Sequence, residues 1–346
     1  MVLAKAKQLI KNSTLSAAYR AGVLHSLVRR RLRRRAVVLM YHRVLPASLR
    51  AESFSADGIV VTPETFRRHM QLLSSRFQPV SAAQLAAALR NEEPLPERAC
   101  LVTFDDGWWD NLEYALPILE EFRVPALIFL ATDFIGTSRT FWQEHLSRML
   151  FVASHEAHGL AGLLDSLGIS LPTGSGVADH RLRIRAFVTA LKNKPAAEIR
   201  SLVQEVEMRC NEAGLDCSPA SVDRFLSWSE VARLAASDLI TIGSHCQSHT
   251  PLPKLAHDEV ARELRCSREI LTSHLGKPPE DLAYPNGDFT PAIAAQAQAA
   301  GYRVAYTTER GHVEPGHHLW SLPRMNIHEG SASTESAFLA RVAGLL

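Results

Sequence analysis

The sequence contains no apolar run near the ~20 residues that span a bilayer, and no strand-like stretch is followed by a Gly-rich dinucleotide fingerprint. Cysteine is scarce and scattered. Cys100, Cys210, Cys217, Cys246 and Cys266 are odd in number and lack tight spacing, which excludes a disulfide framework in a chain of 346 residues. The start of the chain lacks a long apolar stretch with a small-residue cleavage site, so a cytoplasmic protein without signal peptide or transmembrane helix is expected. Acidic residues are missing altogether from residues 1–35, which hold ten Lys or Arg; the remainder carries 28 basic against 36 acidic residues. The chain therefore reads as a basic arm on a mildly acidic body. A hydrophobic content of 46% excludes disorder and supports a large core.

Within the arm, Ala17, Ala21, Leu24, Val28 and Leu32 recur at helical spacing beside the Arg cluster, the pattern of a basic amphipathic helix. Its expected partner is an anionic membrane surface, where each basic residue adds about 1 kcal/mol and the apolar stripe dips among the headgroups. A helix packed on the body is the structural alternative. No aromatic residue interleaves the Arg run, and nucleic acid is not an expected partner.

Beyond the arm, short apolar runs alternate with helical patterns. AVVLMY (36–41), FQPVS, CLVTF and VPALIFLAT read as strands; between them, Thr62 and Pro63 open one helix, and a Ser81/Gln84 capping box opens the next. The alternation pauses over 139–226, where helical periodicity and a break at PTGSG (172–176) suggest an inserted helical subdomain. It resumes with a helix capped by Ser227 and Glu230, then the strands LITIG, DLAY and RVAYT and the stretch LWSLPRMNI. Strand and helix take turns about eight times, which favours a parallel sheet closed into a (β/α) barrel over 36–138 and 227–346, or else a doubly wound open sheet.

In parallel α/β folds the reactive groups gather where strands end. LVTFDDG (101–107) ends a strand in Asp105 and Asp106, two adjacent acids that need a metal ion or an Arg beside them unless one merely caps the following helix. LITIGSHCQSHTPL ends another strand in His245 and His249. One helical turn would point both imidazoles the same way, a half-site for a divalent ion that a carboxylate would complete. A surface helix turn would show the same spacing.

The motifs TFDDG (103–107), GSHCQSH (243–249) and AYPNG (283–287), with LMYHRV (39–44), the FRRHMQLL helix and PVS, resemble the polysaccharide deacetylases of carbohydrate esterase family four, in particular members linked to exopolysaccharide synthesis. The resemblance covers most of 36–330 outside the insertion. It implies a distorted (β/α)7-type barrel, a divalent metal (Zn2+, with Co2+, Ni2+ or Mn2+ as alternatives) and hydrolysis of acetyl groups, chiefly N-acetyl, on an amino sugar of a polysaccharide or lipid-linked saccharide. Carried over by position, it makes Asp105 the catalytic base and Asp106, His245 and His249 the metal ligands. Asn286 becomes the backbone oxyanion donor, and His328 the acid that protonates the leaving amine. His42 would face the same rim to bind substrate or assist proton transfer. Trp108, with Trp109, could offer a wall for sugar stacking, while core burial is the favoured fate for at least one of them. Two departures stand out. Ala283 occupies the place of an Arg that orients the base in many members, for which Arg324 is the expected replacement, and Asn286 stands where an aromatic is frequent. Two rival readings remain at this stage: an amidase of non-sugar C–N bonds, and a glycan-binding scaffold that has lost turnover.

Overall fold

The runs VVLMY and ACLVTF are buried at every position, which suits strands covered on both faces. They form the neighbouring interior strands β1 (Val37–Tyr41) and β5 (Ala99–Phe104) of a parallel sheet. The computed structural model describes residues 13–156, 167–169 and 176–346. Residues 1–12 of the basic arm and all but the last residue of the PTGSG break lie outside them.

Counting in chain order, β2 is Arg43–Val44, β3 Val60–Val61, β4 Gln78–Pro79, β6 Ala126–Leu130, β7 Ile240–Ser244, β8 Asp281–Ala283, β9 Val304–Tyr306 and β10 Met325–Asn326. The main sheet runs β10-β1-β5-β6-β7-β8-β9, with β4 added beside the start of β5, and every pairing is parallel. The sheet curls on itself. Leu322, just before β10, bridges Tyr306 of β9, and Leu39 and Met40 of β1 pair with β10, so residues 319–326 form the closing seam of the barrel. The small parallel pair β2–β3 was not foreseen from the sequence.

Helices start where the sequence indicates. Thr62 accepts from the Thr65 amide ahead of the helix Pro63–Arg76, and full capping boxes at Ser81/Gln84 and Ser227/Glu230 open Ala82–Leu89 and Trp228–Ala235. One segment departs from the expected α-helix. Asn111–Ala115 is π-helical, with the Leu116 amide donating to the Asn111 carbonyl, and leads into Leu116–Phe122. Pro117 has no N–H to give Glu113, and the turn before it widens.

The chain divides into two compact units, one of residues up to Ala47, Asp57–Thr137 and Phe225–Leu346, the other of Ser48–Ala56 and Ser138–Arg224. The first holds the barrel, whose core packs Val38, Leu101, Leu127, Phe129 and Tyr306 against Leu85 and Leu89. The second has no strand among its described residues. Its helices Trp142–Glu156, Val177–Leu191 and Ala196–Glu212 enclose a separate core of Leu146, Met149, Leu150, Ile184 and Val206.

The described part of the arm corrects one expectation. Gly22 (φ 73°) breaks the helix, and in the segment that follows, Val23–Arg31, the apolar stripe is not free to enter lipid. Leu24, Val28 and Leu32 are buried, and the helix packs on Glu335–Val342. Tyr19 bonds the Glu335 carboxylate, Arg31 the Ala343 carbonyl, and Arg35 pairs with Glu314 at 2.8 Å. No helix among the described residues is long and apolar enough to cross a membrane.

Candidate active site

Thr103 and Asp105 share one face of β5 and its extension, the face turned into the barrel. Arg324, at the closing seam, reaches them. Its Nη1 lies 2.7 Å from Asp105 Oδ1 and its Nη2 2.8 Å from Oδ2; Nη1 also meets Thr103 Oγ1, and Nε donates to the Thr307 carbonyl. Both partners are almost fully buried, at 1% and 2% exposure. Burial alone would push the Asp105 carboxyl up, but the Arg324 guanidinium, with His245 and His42 nearby, holds it well below the usual carboxylate range. Arg324, the residue expected in place of an Arg at position 283, grips Asp105 in a fork.

Asp106 turns the other way. It adopts a left-handed conformation (φ 79°), and Gly107 follows at φ 90°, where an added Cβ would lie 2.7 Å from a Leu130 methyl. This turn separates the two neighbouring carboxylates. Asp106 Oδ1 lies 3.6 Å from His245 Nε2 and 3.4 Å from His249 Nε2, and one ligand atom from each of the three falls within 4.8 Å of the others. Bonds of about 2.1 Å around a tetrahedral cation set ligand atoms roughly 3.4 Å apart, the spacing that Asp106 keeps to each imidazole.

The second nitrogen of His245 fixes which atom faces the cluster. Nδ1 lies 2.8 Å from the Ala283 carbonyl at the end of β8; a carbonyl only accepts, so the proton sits on Nδ1 and the Nε2 lone pair faces the cluster. Burial pushes the His245 pKa down to about 4, which keeps the ring neutral, the form that binds metal. His249 is more open, its side chain 22% exposed, and gives the cluster its solvent side.

The two histidines are not joined by the expected helical turn. They lie in an irregular loop with left-handed residues at Cys246 (φ 62°) and His249 (φ 58°). Such backbone holds only where its surroundings impose it. Here Glu263 Oε2 accepts from the Gln247 and Ser248 amides at 2.9 Å each, and the loop carbonyls of Cys246 and Gln247 receive the Thr132 and Asp133 amides. Cys246 points into an apolar cluster with Leu252, Leu264 and Tyr284, and plays no part as a thiolate.

Among the remaining predicted residues, His42 comes to the site: its Nε2 is 3.9 Å from Asp105 Oδ2, directly after β1. His328 is half-buried at the start of the short helix Glu329–Ala332, its proton affinity lowered by burial and then by Arg341, with a weaker influence from His42. Asn286 lies exposed in the turn after β8, left-handed at φ 63°, its side chain bonded to Asp288. Trp108 follows the burial expected for one of the two tryptophans, and its use as a sugar wall is corrected. It is fully buried and offers no face to a sugar; its indole N–H instead donates to Asp106 Oδ2 at 2.8 Å. Trp109 is half-buried. Sequence reasoning missed Arg43 and Asp110, a fully buried ion pair at 2.8 Å behind this tryptophan. The only signal was a charged residue on either side, in YHRV and WWDN.

Known proteins resemble this chain in sequence or in fold. The poly-β-1,6-N-acetyl-D-glucosamine N-deacetylase of Escherichia coli K12 is 45% identical over 56 residues, 16% of this chain and 8% of that protein. The Bacillus subtilis protein YxkH, named as a polysaccharide deacetylase, is 27% identical over 113 residues, 32% of this chain and 37% of that one. The chain thus spans well under half the length of these curated relatives. The solved structure of IcaB from Ammonifex degensii superposes with a TM-score of 0.58 at 18% identity, covering 90% of this chain and 97% of that one, a likeness of fold. The polysaccharide deacetylase profile matches residues 92–159 and 178–305, more than half the sequence, and the stretch includes both the Asp-Asp turn and the two-histidine loop. The chain belongs to the polysaccharide deacetylase family.

Proposed function

We propose that the protein hydrolyses acetyl groups, foremost N-acetyl, from an amino sugar of a polysaccharide or lipid-linked saccharide, with a divalent cation held by Asp106, His245 and His249. Zinc suits the two-imidazole, one-carboxylate set, with Co2+, Ni2+ or Mn2+ as substitutes. The observation that carries the reading is the division of labour between two adjacent acids: Asp106 converges with both imidazoles, while Asp105 is drawn off by Arg324.

A cation in this position supplies a Lewis acid for the acetyl carbonyl and makes water a better nucleophile near neutral pH. The other work falls to the chain. Asp105, kept ionised by Arg324, takes the proton from the attacking water; each of its oxygens retains a second lone pair beside the one that Arg324 occupies. The backbone N–H of Asn286 is the proposed donor to the developing oxyanion. The leaving amine needs a proton; His42, 3.9 Å from Asp105, is taken as the group that delivers it, with His328 as the alternative. An Asn at 105 would retain the cation and lose turnover; equal cation binding with unchanged acetate release would refute the assignment of the base.

The proposed partners are an acetylated glycan and, through residues 1–35, an anionic membrane surface, which places the enzyme peripherally at the cytoplasmic face. Because Leu24, Val28 and Leu32 of the stripe are buried, the contact is electrostatic, made by Arg29, Arg30, Arg33 and Arg34, all exposed. Co-sedimentation with phosphatidylglycerol vesicles that fades between 50 and 500 mM salt, roughly from above to well below a 10 Å screening length, is the expected result. Retention at high salt, or equal binding to phosphatidylcholine vesicles, would contradict it.

A further inference from the structure

The tryptophan that follows the two acids stands in a position no sugar can reach, and its surroundings hold it there. One face of the Trp108 ring stacks on Phe225, centroids 4.2 Å apart and planes 21° from parallel. Over the ring lies the Arg43 guanidinium, 4.2 Å from the centroid. Arg43 is itself fixed by Asp110, whose other oxygen accepts from the Val44 amide at 2.9 Å. The backbone is tied as well, since the Leu226 amide donates to the Gly107 carbonyl and Trp108 bridges Phe225.

From this clamp the indole N–H donates to Oδ2 of Asp106, whose Oδ1 is the atom nearest His245 and His249. A carboxylate on a short side chain can turn about its last bond and offer a cation one oxygen, the other, or both. Here a buried donor occupies one oxygen and leaves the other to face the imidazoles. The cation beside the ring draws electron density from the indole and strengthens its N–H as a donor.

We propose that Trp108 is a positioning residue for the cation: clamped between Arg43 and Phe225, it sets Asp106 to bind through a single oxygen, Oδ1. This inference rests on the cation site proposed above and assigns a purpose to a residue that touches neither substrate nor ion.

Trp108→Phe keeps an aromatic ring in the clamp and removes only the donor and one ring of volume. Metal-free wild-type and variant protein are titrated with Zn2+ or Co2+ against a competing chelator. Loss of such a supporting hydrogen bond is expected to weaken cation affinity about 10- to 100-fold. Acetate release should then recover toward the wild-type rate at saturating cation, because the defect lies in holding the ion. A structural role alone would lower the melting temperature of the metal-free variant and leave its affinity unchanged, and that result overturns the proposal. Should the variant fail to fold, the wild-type protein labelled with 15N-tryptophan supplies the second readout. The slowly exchanging Trp108 indole N–H must shift when the cation is added, and an unmoved signal overturns the proposal equally. Absence of any cation binding by wild-type protein would be a different failure, that of the site itself.

Discussion

Arg324 and Asp105 are 219 positions apart in the chain and form a two-pronged, fully buried ion pair at 2.7 and 2.8 Å. The pairing follows from barrel closure. Arg324 enters at the seam where β10 pairs with β1, and β1 pairs in turn with β5, the strand that Asp105 follows. An acid in so dry a place would otherwise take up a proton; the guanidinium keeps it charged and fixes its plane.

Arg324→Lys keeps the charge and loses the fork. It should lower acetate release by about 100-fold through misplacement of Asp105, with a stability loss of about 1.5–3 kcal/mol. Arg324→Met leaves the carboxylate without a partner and should cost about 3–5 kcal/mol in urea unfolding.

Between the two histidines offered as proton donor, His42→Asn should cost about 100-fold or more in turnover, within the range for general acid catalysis, and His328→Asn under 10-fold. Steady-state rates on an N-acetylglucosamine oligomer decide between them. The reverse order would return the acid role to His328.

A stability prediction concerns His69, which lies on the helix Pro63–Arg76 and is almost fully buried. Its Nε2 donates to the Ala332 carbonyl at 2.8 Å, so Nδ1 is left to accept from the Tyr41 hydroxyl at 3.1 Å, a pattern that requires the neutral ring. Burial lowers its pKa to about 4. The unfolded chain takes up this proton near pH 6.5 and the folded chain only near 4, so the contribution is complete above 6.5 and is lost as pH falls toward 4. At about 1.4 kcal/mol per unit this amounts to roughly 3 kcal/mol. His69→Gln, uncharged throughout, should show a flatter fall of unfolding free energy between pH 6.5 and 4 than wild type; an equal slope would contradict the assignment.

Much of this was legible because strand ends and helix caps are local. Asp105, Asp106, His245 and His249 each follow an apolar run, and Thr62, Ser81 and Ser227 mark helix starts by chemistry that acts within three residues. What escaped depends on partners far along the chain. A tryptophan after two acids looks the same whether a sugar or Phe225 will cover it, and a stripe of Leu24, Val28 and Leu32 looks the same whether lipid or the helix Glu335–Val342 will receive it. The His-x-x-x-His spacing suggested a helical turn, but the left-handed Cys246 and His249 are imposed by Glu263 and β6-side amides that no local pattern reveals. Arg324 could be singled out by its place in a late strand-like stretch, while its fork on Asp105 is a product of the closed barrel.

The most direct test of the account is a crystal of wild-type protein soaked in Zn2+, with anomalous scattering recorded at the zinc edge. The account predicts one strong peak about 2.1 Å from Asp106 Oδ1, His245 Nε2 and His249 Nε2, with Asp105 off the ion and still forked by Arg324. A peak ligated by Asp105, or none between these three side chains at saturating zinc, would contradict it.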